Sequence, residues 1–157
     1  MAETEQYRVL HVVESFASGV ADAVISYVES TPDYQHHLLY SLRSGASVGE
    51  DALAGFASTE QLPSGHWGRV RAVQRVTRTL RPAIVHAHSS FAGAYVRLGL
   101  ASSRTPLVYT PHCYAFERLD ISRRSRVAFR ALEMVLARNT TGVAACPPRE
   151  QALANSL

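Results

Sequence analysis

The stretch Tyr7-Arg8-Val9-Leu10-His11-Val12-Val13, followed by Glu14-Ser15-Phe16-Ala17-Ser18-Gly19, decides the fold. Its first seven residues are β-branched and almost continuously apolar, which suits a central parallel strand covered on both faces. The next six read as a turn. Val20, Val24, Tyr27 and Val28 then recur at helical spacing until Thr31-Pro32 ends the pattern. Strand, glycine-containing loop and helix form the first half of a βαβ unit.

The same alternation continues outward. Strands are expected over His36 to Leu42, Gln61 to Pro63, Ala83 to Ala87, Pro106 to Tyr109 and Gly142 to Ala145. Between them, helices are expected over Trp67 to Leu80, Phe91 to Ser102 and Ile121 to Arg138, and Pro147-Pro148 opens a last one. The Gly-, Ala- and Ser-rich segment from Arg43 to Ser58 predicts a loop with one short helix through Asp51 to Ala57. In the helix after Ile121, Val127, Ala128, Ala131, Leu132, Val135 and Leu136 form the apolar stripe. The pattern predicts an α/β fold: a Rossmann-like, mostly parallel sheet with helices on both faces, in one domain over 1–157.

Composition removes whole classes of chemistry. The 157 residues are 46% hydrophobic and 18% charged, an ordinary globular balance with a net charge of +3. All 16 basic residues are arginine, so no P-loop lysine or Schiff-base lysine is available. Two cysteines, Cys113 and Cys146, make neither a disulfide framework nor a CxxC zinc site. With a polar, acidic Met1 to Gln6 and no apolar run of membrane-spanning length, the expected location is the reducing cytoplasm.

Three groups of residues carry candidate chemistry. In Val108-Tyr109-Thr110-Pro111-His112-Cys113-Tyr114-Ala115-Phe116, a buried strand breaks at a proline and delivers a titratable histidine at its carboxyl end. Open α/β sheets put ligand chemistry there, although a histidine capping a turn fits the pattern equally well. In His86-Ala87-His88, alternation points both imidazoles to one side, a metal pair if His11 or His112 joined them. No well-spaced carboxylate completes that set, and a partly buried His86 with His88 and Ser89 bonded locally at the crevice is the favoured reading. Arg123, Arg126 and Arg130, with Arg124 beside them, share the polar face of one helix. That face is either simply solvated or directed at an anionic surface such as lipid head groups. The loop Ser15 to Gly19 has the position of a phosphate-binding turn but neither glycine-rich fingerprint.

Taken together, VLHVVESFASGVADAVISYV, IVHAHSSFAGAYVRLG, VYTPHCYAF and GVAACPPREQAL resemble, in order, the N-terminal half of the family 4 glycosyltransferases of GT-B architecture. The resemblance implies a retaining transfer from a nucleotide sugar to a saccharide or lipid-linked acceptor, with no metal or other cofactor. It implies that Ser18 and Gly19 lie near the donor phosphates and that His112 faces the reaction centre. His88, Ser89, Ser90 and Tyr114 fall on the acceptor side. A C-terminal donor domain would be the missing physical partner, and this chain alone is expected to be inactive. Peripheral contact with the inner face of an anionic membrane goes with Arg123, Arg124, Arg126 and Arg130. Many relatives carry two glycines where this loop has only Gly19, and Phe91 and Cys146 also depart from the common pattern. The readings set against this one are a metal-dependent hydrolase using His86, His88 and His112, and a non-catalytic nucleotide-binding module.

Overall fold

The computed structural model describes residues 6–42, 47–145 and 148–156. Six strands form one parallel sheet: β1 (Arg8–Val13), β2 (Gln35–Tyr40), β3 (Ser58–Gln61), β4 (Ile84–His88), β5 (Leu107–Thr110) and β6 (Gly142–Val143). Helices α1 (Ser18–Ser30), α2 (His66–Leu80), α3 (Ser90–Gly99), α4 (Arg123–Ala137) and α5 (Pro148–Ala154) alternate with them, and short 3-10 turns occupy Glu50–Leu53 and Ala115–Glu117. Residues 43–46 of the expected loop, and Cys146 and Pro147, lie outside the described residues.

The strand order is β3-β2-β1-β4-β5-β6. The chain builds outward from β1 to one edge, then returns to start again at β4. The carboxyl ends of β1 and β4 therefore flank the point where the order reverses, and a crevice opens there in doubly wound sheets. Alternation sorts the side chains. Val13, Leu38 and Tyr40 pack with Phe16 and with Val24 of α1 on one face. On the other, Leu10, Val12, Val85, Ala87, Leu107 and Tyr109 meet Val70 and Val73 of α2 and Ala92 and Val96 of α3.

Two expectations change. The third strand runs over Ser58–Gln61 instead of Gln61 to Pro63, because it is an edge strand with every residue exposed and no apolar run marks it. Of the stripe expected to bury α4, only Leu136 does so. Val127 is 62% and Val135 59% exposed, and Leu132 and Met134 are exposed as well. The buried residues of α4 are Glu133 and Leu136.

A buried ion pair explains the rotation of α4. Arg97 of α3 and Glu133 of α4 are each 4% exposed, with Nη2 and Oε2 2.9 Å apart. The Tyr109 hydroxyl donates to Glu133 Oε1 at 3.2 Å, Arg97 Nε donates to the Gly93 carbonyl at 2.9 Å, and the guanidinium lies 4.0 Å over the Tyr109 ring. A Cβ on Gly93 would sit 2.6 Å from Tyr109 Cε2, so glycine is what lets the ring slide under α3. Charges taken out of water must find each other, and that demand overrides a stripe of aliphatic side chains. Glu133→Ala leaves Arg97 buried and unpaired, and is expected to destabilise the fold by about 3–5 kcal/mol, read as a lowered midpoint in chemical denaturation.

Candidate functional site

Apart from the arginines of α4, of which Arg123, Arg124 and Arg130 are exposed and Arg126 partly buried, the residues singled out from the sequence lie at the carboxyl ends of β1, β4 and β5. α1 begins at Ser18 and α3 at Ser90, and neither N-terminus is capped by a side chain. Their first amide hydrogens stay available to an outside acceptor, as a phosphate oxygen is. α4, away from the crevice, is capped in the ordinary way, Ser122 Oγ accepting from Ser125 N at 3.1 Å. Ser18 and Gly19 are exposed, and a Cβ on Gly19 would meet nothing within 4 Å. That glycine is not needed for internal packing.

Backbone strain concentrates here. Among the described residues, five non-glycine positions have positive φ: Ser18 (48°), Arg81 (48°), Ser89 (75°), His112 (50°) and Cys113 (102°). Arg81 ends α2, and the other four line the exits of β1, β4 and β5. Such conformations cost roughly 1–3 kcal/mol each and persist only where the surroundings impose them. Two bonds stitch the β4 and β5 exits together: Ser89 N donates to the Thr110 carbonyl at 2.9 Å, and Ala115 N to Ser90 Oγ at 3.2 Å.

Not every expected residue reaches the crevice. His112 is half-buried and Ser90 partly exposed, whereas the Ser89 hydroxyl is buried with no hydrogen-bond partner among the described residues. His88 is completely buried, one layer behind His112, with His88 Nδ1 and His112 Nε2 3.2 Å apart. Tyr114 is also completely buried, packed against Phe116 at 4.8 Å and near Tyr109 at 6.3 Å. Its ring belongs to the core, and burial pushes its phenol up to about 12.

Behind His112 the imidazoles continue. His88 Nε2 lies 3.1 Å from His11 Nδ1, and His11 Nε2 lies 3.1 Å from His36 Nδ1. His36 Nε2 ends against the Thr31 carbonyl at 3.0 Å and Thr31 Oγ1 at 3.1 Å. His86 stands beside this line, its ring 3.9 Å from that of His88 and its Nε2 2.8 Å from Thr110 Oγ1. Tyr27 of α1 covers His86 and His88 at 5.1 and 5.9 Å. His36 is the member that sequence reasoning missed. The available signal was the histidine in each of the apolar runs VLHVV and HHLLY.

His11, His86 and His88 also bring one nitrogen each within 4.8 Å of the others, a possible cation cluster. It differs from the trio expected from sequence in having His11 in place of His112. The three rings are buried and the cluster includes no carboxylate or thiolate to offset a cation's charge. Both nitrogens of His11 and of His88 are already engaged, with each other, His36 and His112, and His86 Nε2 is engaged with Thr110.

Residues 5–156 match the glycosyl transferase 4-like domain model. The chain belongs to that family. A curated relative is a 41.2 kDa protein encoded in the cps region of Klebsiella pneumoniae, 23% identical over 137 residues, which are 84% of this chain and 38% of the relative. Among solved structures, sucrose-phosphate synthase from Thermosynechococcus elongatus superposes with a TM-score of 0.68 at 11% identity, covering 96% of this chain and 45% of the synthase. UDP-GlcNAc 2-epimerase from Methanocaldococcus jannaschii gives 0.61 at 8% identity, covering 95% and 42%. MurG from Acinetobacter baumannii gives 0.61 at 10%, covering 90% and 42%. These likenesses establish a shared fold, and the chain spans less than half the length of each relative. The glycosyl transferase 4-like domain thus has the fold of the N-terminal half of a GT-B protein.

Burial favours the neutral form of His11, His86, His88 and His112. Burial, reinforced by neighbouring rings, pushes His11 and His88 well below the usual 6.5, and burial with His112 nearby pushes His86 down to about 4. Burial also lowers His112, against the opposing pull of Glu150 on α5. The unfolded chain binds protons at these rings as pH falls through about 6.5 while the folded chain does not, so stability is full above that value and is lost below it. Chemical denaturation between pH 7 and pH 5 is expected to show stability falling by up to about 1.4 kcal/mol per pH unit for each such ring. A flat profile would contradict the buried, neutral arrangement.

Proposed function

We propose that the glycosyl transferase 4-like domain supplies the acceptor-side wall of a retaining GT-B transferase, moving sugar from a nucleotide sugar to a saccharide or lipid-linked acceptor without a metal. The observation that carries this reading is the half-buried His112, held at positive φ beside the switch point of a family-matched sheet. In it, His112 touches the reacting sugar or acceptor, and the uncapped start of α1 at Ser18 and Gly19 faces the donor phosphates. Ser89 and Ser90 line the acceptor side, and His88 acts on the acceptor through His112. A second, donor-binding domain closes the cleft, since transfer requires both substrates held in one geometry.

A lipid-linked acceptor draws support from the surface next to the crevice. Trp67, Phe91, Tyr95, Leu98, Phe129 and Leu132 line an apolar groove of about 260 Å³ that Ser90 also borders. From Leu132 the exposed face of α4 carries on through Met134 and Val135, flanked by Arg123, Arg124 and Arg130, while its Glu133 is buried against Arg97. Exposed apolar side chains with arginines on the same helix fit the head-group region of an anionic bilayer. Among the described residues no helix is long and apolar enough to cross a membrane. The hydrolase reading rests on the His11–His86–His88 cluster. Stoichiometric zinc in the purified protein would favour it.

In a two-domain enzyme containing this chain, His112→Ala is expected to lower sugar transfer at least 100-fold while the chain still folds cooperatively, and wild-type turnover would remove His112 from the reaction. The 157-residue chain alone should show no measurable transfer. Anionic vesicles are expected to retain the protein at low salt and release it at high salt, and Arg130→Glu with Val135→Glu to abolish retention. Equal binding to neutral vesicles would refute the membrane contact.

A further inference from the structure

The line of imidazoles has a direction, and one residue at its far end sets it. Thr31 Oγ1 donates its hydrogen to the Tyr27 carbonyl at 2.6 Å, so toward His36 it offers only lone pairs. The Thr31 carbonyl likewise offers only lone pairs. Both groups facing His36 Nε2 are therefore acceptors, at 3.0 and 3.1 Å, and Nε2 must carry the hydrogen. A neutral imidazole has one N–H and one lone pair, so His36 Nδ1 accepts and His11 Nε2 must donate to it. His11 Nδ1 then accepts from His88 Nε2–H, and His88 Nδ1 accepts from His112 Nε2–H. Every step follows from the one before it.

We propose that His36, His11 and His88 form a tautomer relay, anchored at Thr31, that holds His112 with its hydrogen on Nε2 and its Nδ1 lone pair presented to the crevice. The His112 ring is half-buried, its Nε2 faces His88, and Nδ1 makes no hydrogen bond within the described residues, with the Glu150 carboxylate of α5 the nearby charge that acts on it. His36, His11 and His88 are positioning residues that act through His112. The consequence for ligands, which rests on the transferase reading above, is a choice of chemistry. A lone pair accepts from a hydroxyl and repels the oxygens of a phosphate. His112 therefore meets a hydroxyl of the sugar or acceptor, while the phosphates lie toward α1. His86 stands outside the relay, since Thr110 Oγ1 can either donate to it or accept from it.

The decisive experiment is nitrogen NMR on the 157-residue chain labelled with ¹⁵N and held at pH 7.5. Couplings across hydrogen bonds are expected between His36 Nδ1 and His11 Nε2, between His11 Nδ1 and His88 Nε2, and between His88 Nδ1 and His112 Nε2. All four rings should be protonated at Nε2 alone. A hydrogen on Nδ1 of any of the four, or absence of the couplings, would overturn the relay. So would one equivalent of zinc moving the nitrogens of His11, His86 and His88 together to metal-bound positions. His36→Leu removes the anchor, and the His112 Nδ1 resonance should then shift toward its protonated position. His36→Asn, whose Oδ1 stands in for the accepting Nδ1, should restore it. An unchanged His112 in His36→Leu would also refute the proposal, and if that variant does not fold, the wild-type couplings decide alone. No sugar takes part in the measurement, so its failure leaves the transferase reading standing, and failure of that reading leaves the couplings intact.

Discussion

Burying imidazoles without charge is the constraint on which the site depends. The parallel ladders place His36 beside Val9 and His86 beside His11, and His88 beside Val13, all on the sheet face that α1 covers. A polar ring removed from water loses a few kcal/mol unless its nitrogens find partners. Here most of the partners are other rings, and the series ends on a backbone carbonyl that accepts and never donates. The strand register, α1 and the Thr31 turn are thus parts of one hydrogen-bonding requirement, and His112 is where it reaches the surface.

The opposite face is held by a different polar device. Arg97, Glu133 and Tyr109 join α3, α4 and β5 through contacts that only mutual burial makes favourable. Because Glu133 must face inward, the aliphatic residues on either side of it turn outward. The same ion pair that docks α4 also turns its aliphatic residues toward solvent next to the crevice. Internal electrostatics thus sets which face of one helix meets the solvent.

Much of this architecture was legible in the residues. Runs such as VLHVV and AIVHA locate strands to within a residue or two, because a strand buried on both faces leaves an unbroken apolar signature. β3 carried no such signature, since all four of its residues face solvent. The rotation of α4 was hidden for another reason: hydrophobic periodicity counts side chains, and the partner of Glu133 lies 36 positions earlier on another helix. His112 and His88 stood out by position at strand ends. His36 did not, because its role depends on the register between β1 and β2, which no local pattern encodes. Tyr114, which the resemblance put on the acceptor side, is fully buried and packs in the core beneath the loop, and no local pattern distinguishes the two placements.

The positive φ angles at Ser89 and His112 set evolution and function against each other. Glycine would relax both positions, and a random search for a more stable protein would find it there. Each such gain would delete a side chain from a strand exit. On the transferase reading, selection for robustness and selection for chemistry therefore pull in opposite directions at these two residues. Thermostabilised descendants of this domain that keep its chemistry must draw their stability from elsewhere in the sheet.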